Sequence, residues 1–297
     1  MSIANNAWLK YIDEVRSDPT NLYFCARLLE KAYLLQSDPD GVTLMRKAAM
    51  TVYKFDPLAY VTIFPYAVDM FSDDELEELT DALCVDGDDD LTNYLRGKLW
   101  SDLARHKKSS TDCARRGYAF LLKVSDDFSA SEPEYLQALA ECCRLTDYDA
   151  YKALVRRLLD SREAEWRGHV LINVLETTVS HSDWDAFDSW RPEWDLLPVN
   201  AHLCECSHNR LRTFDGLRAL ASEDIRSIPD LLRQAVAVRG CPHLNSGAAN
   251  MDLVERLIER KVLLSESLAY VEACRQFCVE DDRIEPLIQR IELAQNE

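Results

Sequence analysis

Three tripeptides, Ser17-Asp18-Pro19, Ser37-Asp38-Pro39 and Phe55-Asp56-Pro57, place a proline every 18 to 20 residues through the opening of the chain. This punctuation limits the fold more than any other feature. Proline cannot continue a helix and restricts the residue before it, yet it is accepted in the first turn of the next helix, where Ser or Asp caps free N–H groups. Between the breaks, Leu22, Cys25, Leu28, Leu29, Ala32 and Leu35 fall on one helical stripe, and Leu44, Ala48, Val52 and Phe55 on the next. Two such amphipathic helices joined by a short turn form a hairpin.

The same beat, less regular, continues through Ser72–Cys84, Asp88–His106, Ser110–Val124, Ser131–Leu145, Asp147–Leu159 and Arg162–Val179. After a tryptophan-rich interval it resumes at Ser222–Val238, Asn250–Val262, Ser265–Cys278 and Asp281–Ala294. Each segment begins near Ser, Thr, Asp or Asn and runs for a few turns. Glycine is scarce: the chain has 8, where the usual frequency would give ~20. Sheets built on tight hairpins and doubly wound folds with a glycine-bearing first loop are therefore excluded, and no stretch alternates Val, Ile and Thr between turns. The fold class expected is all-α, with about fifteen helices.

A helix pair per ~35 to 40 residues is the spacing of tetratricopeptide and HEAT solenoids. The tetratricopeptide pattern of Trp, Leu-Gly, Tyr, Ala and Phe at fixed offsets is absent, so the likeness is one of spacing alone. The expectation is an irregular helical-repeat superhelix, an α-solenoid forming one continuous domain over 1–297. Breaks are expected near 180–200, where Pro192 and Pro198 lie, and at Arg239–Ala248, with Gly240, Pro242 and Gly247.

Met1–Lys10 has no apolar core of signal-peptide length, and the apolar run Ala59–Val68 contains Pro65 and is far short of the ~20 residues that span a bilayer. Ten cysteines in a chain of 297 residues without such a signal read as reduced, small apolar side chains. A cytoplasmic, reducing compartment is expected. The net charge of −18 repels nucleic acid and anionic lipid and favours a basic protein or peptide as partner.

That charge is uneven. Phe55–Leu95 holds no Lys or Arg, while Asp73, Asp74, Glu77, Glu78, Asp88, Asp89 and Asp90 lie within it. These seven residues are candidates for a surface that recognises a basic partner. Asp86-Gly87-Asp88-Asp89-Asp90 lacks the alternating ligands and closing Glu of an EF-hand, and a capped helix start accounts for it. A second candidate surface gathers Trp184, Trp190, Arg191 and Trp194, residue types that dominate binding hot spots, although such rings also fill seams between helices. Arg105, His106, Lys107 and Lys108, with Arg115 and Arg116, are the one concentrated basic run, and a helix C-terminus beside acidic helices explains it.

His202, Cys204, Cys206 and His208, followed by Cys241 and His243, offer soft ligands for a tetrahedral zinc. On a helix His202 and Cys206 share a face, so a site would recruit Cys241 and His243. The blander reading packs the cysteines in the core and needs no cofactor. Phosphate-loop, dinucleotide, serine-elbow and zinc-protease motifs are missing from the chain. Three functions follow as expectations. The first is a non-catalytic helical-repeat scaffold or adaptor that binds another protein. The second is an acidic inhibitor, of the immunity-protein kind, that neutralises a basic toxin or effector through its acidic face. The third is a zinc-binding helical protein or enzyme.

Overall fold

A computed structural model describes residues 14–18, 21, 25, 27, 39–55, 74, 89–106, 110–131, 134–160, 167–197, 205–238, 249–276 and 283–296. Among the described residues the protein is all-α: thirteen helices and no strand. The proline breaks fall where their chemistry predicts. The helical residues 14–17 stop at Asp18, ahead of Pro19, and the helix Pro39–Phe55 has a proline as its first residue. The chain divides into two compact units, Met1–Leu158 and Leu159–Glu297.

Unit 1 contains α1 (Pro39–Phe55), α2 (Asp90–His106), α3 (Thr111–Leu121), α4 (Asp126–Ser131), α5 (Tyr135–Thr146) and most of α6 (Tyr148–Asp160). Helices α2, α3 and α5 pack mutually around Leu99, Trp100, Leu103, Ala114, Leu121 and Cys142, all essentially removed from solvent. Two glycines make this contact close. A Cβ on Gly97 would lie 3.1 Å from the Gly117 carbonyl oxygen and 2.5 Å from Leu121 Cγ. A Cβ on Gly117 would lie 3.0 Å from the Gly97 oxygen, 2.8 Å from Cys142 Sγ and 3.2 Å from the Ser101 nitrogen. Only hydrogen fits where the three helices meet.

Unit 2 contains α7 (Arg167–Ser180), α8 (Trp184–Asp195), α9 (Glu205–Ala221), α10 (Ile228–Val236), α11 (Asp252–Arg260), α12 (Leu264–Cys274) and α13 (Ile284–Asn296). Each odd-numbered helix packs on the next, α7 on α9, α9 on α11 and α11 on α13. Helices α7 with α8, α9 with α10 and α11 with α12 pair as hairpins, and α10 also meets α12. The first helices of the three hairpins end alike. Ser182, Glu223 and Lys261 take left-handed φ of 53°, 62° and 52°, and the next amide reaches back to satisfy a free carbonyl: Asp183 to Thr178, Asp224 to Ala219 and Val262 to Leu257, at 2.9 to 3.1 Å. These caps stand 41 and 38 residues apart.

The tryptophan interval is the main departure from the sequence reading. A break was expected across 180–200, but Trp184–Asp195 is helical. Asp183 caps it, with Oδ1 accepting from the Ala186 N–H at 3.1 Å. Pro192 is exposed in its last turn, where a missing N–H costs one bond. The second expected break, 239–248, lies outside the described residues.

Candidate functional site

In unit 1 the helical register lays four residues of α2, Lys98, Ser101, Asp102 and Arg105, against Glu134, Gln137, Ala138 and Glu141 at the start of α5 and along it; they enclose a polar cleft of about 100 Å³. Both sets follow the i, i+3, i+4, i+7 spacing of a single helix face, and each residue of the second stands 36 positions after its counterpart in the first. Lys98 Nζ lies 2.9 Å from Glu134 Oε2 and 3.6 Å from Asp102 Oδ2. Arg105 donates to Asp102 Oδ1, and Arg144 holds Glu141 at 3.2 Å. Ser101 Oγ bonds to the Ala138 carbonyl at 3.3 Å.

Asp102 is the unusual member. Its side chain is only 8% exposed, and Oδ2 is buried without a hydrogen-bond partner, because 3.6 Å is too long for one. Burial pushes its carboxyl above the ordinary carboxylate range, against the opposing pull of Lys98 and Arg105.

The acidic tract is described at three of its candidate positions. Asp74 is exposed. Asp89 accepts from the Thr92 N–H at 3.0 Å and from Thr92 Oγ1 at 2.8 Å, capping α2, and these bonds hold its carboxyl below the usual range. Asp90 accepts from the Ser125 N–H at 3.0 Å and from the Ser125 hydroxyl, tying the start of α2 to that of α4. Asp73, Glu77, Glu78 and Asp88 lie outside the described residues. The basic run is absorbed locally where it is described: Arg105 on Asp102, Arg115 on Asp112 at 2.9 Å, and Arg116 over the Trp100 ring at 4.5 Å.

In unit 2 the second candidate surface turns toward α9. Trp194 is 6% exposed and meets His208 edge-on at 5.8 Å. Arg191 holds Asp215 with two bonds, 2.7 and 3.1 Å, and Asp195 with a third, 3.1 Å. Trp184 packs on Phe187 at 6.0 Å, with Arg218 over its ring at 5.9 Å. Arg218 in turn grips Asp188 at 2.7 to 3.1 Å. Trp194 and Arg191 are thereby spent on joining α8 to α9, and Trp190 is half-buried.

Sequence reasoning missed the residue that organises this unit. Asn209, fully buried, donates through Nδ2 to the Ala235 carbonyl at 3.0 Å and to the Tyr270 hydroxyl at 3.1 Å. It accepts from the Asn250 N–H at 3.0 Å, and Tyr270 donates to the Asn250 carbonyl at 2.8 Å. One amide thus joins α9, the end of α10, the entry to α11 and α12. Of the cleft residues, sequence reasoning singled out Arg105 alone, as part of the basic run. Nothing in the sequence marked Asn209.

Of the zinc candidates, Cys206 is half-buried on α9, and His202, Cys241 and His243 lie outside the described residues. Among the described residues no group of three or more His, Cys, Asp or Glu could hold a metal ion. Burial pushes the thiols of Cys142 and Cys143 up to about 12 and about 11, which suits packing more than nucleophilic chemistry. Among the described residues no helix is long and apolar enough to cross a membrane. No protein-family model matches the chain, and no curated protein matches it.

Proposed function

We propose that this chain is a non-catalytic, helical-repeat scaffold that binds a basic protein in a reducing, cytoplasmic setting. The observation that carries the reading is the packing of unit 2, where the first helix of each hairpin leans on the first helix of the next and the caps recur at near-constant spacing. Stacked hairpins of this kind offer long, continuous faces for another chain. The acid excess of −18 sets the sign of the partner, because complementary charge speeds encounter and rejects acidic competitors.

The test is to capture the partner in cells by cross-linking, purify it, and follow its association with the chain by stopped flow at two salt concentrations. The expected result is a stoichiometric complex whose association slows with salt. Reversing the charge of Asp73, Asp74, Glu77 and Glu78 together should slow it further, by roughly tenfold or more at low salt. A complex whose kinetics ignore both changes would remove the basic-partner reading, and failure to form any complex would remove the scaffold.

A further inference from the structure

We propose that the cleft between α2 and α5 takes one arginine side chain of the basic partner, with Asp102 as its floor. The inference rests on the function proposed above and assigns it a specific recognition pocket. Three observations carry it.

First, Asp102 is more than nine-tenths buried, lines the cleft, and presents an Oδ2 with no hydrogen-bond donor. A desolvated carboxylate oxygen calls for a donor, and a charged donor meets that need most strongly. Secondly, the cleft already shows how a cation sits there. Lys98 Nζ ion-pairs both Glu134, at 2.9 Å, and the Asp102 oxygen, at 3.6 Å, so an ammonium on a flexible stem already sits between the two carboxylates, yet stands beyond ordinary hydrogen-bond reach of Oδ2. Thirdly, size and shape match: about 100 Å³ accommodates a guanidinium head, whose planar fork of five donors can serve carboxylates on two opposing walls at once. Asp102 stands on the α2 wall and Glu134 at the start of α5. An entering guanidinium displaces Lys98 toward water, donates to Asp102 Oδ2 and Glu134, and leaves Arg105 on Oδ1.

Lys98 therefore competes with the ligand, and that fixes the sign of the test. Acetyl-arginine amide, and its neutral isostere acetyl-citrulline amide, are titrated into the full-length protein while amide resonances of Ser101, Asp102 and Ala138 are followed by NMR. The expected result is a saturable shift with the arginine compound and none with citrulline. Affinity should fall roughly tenfold or more in Asp102→Asn and rise in Lys98→Met. The absence of a saturable shift, equal response to citrulline, or weaker binding by Lys98→Met would each overturn the proposal, the last by assigning the cleft to an anion. Circular dichroism of Asp102→Asn controls for folding, and Lys98→Met keeps the test decisive if that variant unfolds.

A deca-arginine peptide separates this inference from the reading beneath it. If wild type and Asp102→Asn bind it equally and salt weakens both, the pocket is refuted and the basic-partner reading stands. If acetyl-arginine amide fills the cleft while no basic protein is captured, the pocket stands and the scaffold reading falls.

Discussion

Replacing Asn209 by alanine should loosen unit 2 out of proportion to the size of the change. The side chain makes three hydrogen bonds, to Ala235, Tyr270 and Asn250, at 3.0 to 3.1 Å, in a site with no solvent exposure. At about 1 kcal/mol net per bond the loss is about 3 kcal/mol, and leaving buried groups unpaired extends the range to about 2–5 kcal/mol. Tyr270→Phe removes one of those bonds and the donation to the Asn250 carbonyl, for about 1–2 kcal/mol. Because the two side chains share a bond, the double mutant should cost less than the sum, with a coupling of about 0.5–3 kcal/mol. Urea unfolding gives the totals. Native-state hydrogen exchange at the Asn250 amide, whose acceptor is Asn209 Oδ1, gives the local value and confines the readout to this unit. A cost for Asn209→Ala below about 0.5 kcal/mol, or strict additivity with Tyr270→Phe, would show that the network follows the packing of the helices and does not determine it.

Three further outcomes test other parts of the structure. Gly117→Ala should destabilise unit 1 by about 1–3 kcal/mol in thermal or urea melts, since its Cβ would meet a sulfur and two backbone atoms that cannot all retreat; an unchanged melt would refute the close contact. The carboxyl of Asp188, held below the usual range chiefly by the hydrogen bonds from Arg218, favours the folded state above the ordinary carboxylate pKa and loses that contribution as pH falls through the depressed value. Carboxyl-carbon NMR should show its titration moving back up in Arg218→Gln, and no movement would break the assignment. Among the described cysteines, a thiol reagent at neutral pH on the folded protein should modify the half-buried Cys206 before Cys142 and Cys143, which are buried and held at about 12 and about 11; peptide mapping by mass spectrometry reads the order.

Most helices were legible because their apolar residues form one stripe. In α13, Ile284, Leu287, Ile288 and Ile291 are buried at the spacing the sequence predicts, and the first proline break follows a helix end at 17, while the helix Pro39–Phe55 occupies the interval between the other two. Helix α9 was not legible, for a physical reason. Its buried residues are Ser207, Asn209, Leu211, Thr213, Phe214, Gly216, Leu217 and Leu220, which run around much of the helix. A central helix contacted from several sides shows no single stripe, and its small and polar residues are there to admit neighbours. Gly216, where a Cβ would fall 2.3 Å from Leu253, admits α11. Helix α8 was misread as a break because Pro192 outweighed Trp194 and Arg191, whose burial and ion pairs on α9 only the tertiary structure reveals. In the acidic tract, the sequence located the charge and the capping role that Asp89 fills. It could not show that Asp102, one carboxylate among many, would be buried from water on α2.

The glycine contact in unit 1 has a bearing on how a ligand would be received. Gly97 and Gly117 bring α2 and α3 to backbone contact, and Cys142 of α5 presses on the same point, so the three helices are jammed at a single fulcrum beside Ser101. Both walls of the polar cleft, α2 and α5, meet α3 at that point. An incoming side chain would find the helix backbones of the cleft already in close contact and would spend its binding energy on contact, desolvation and the displacement of Lys98.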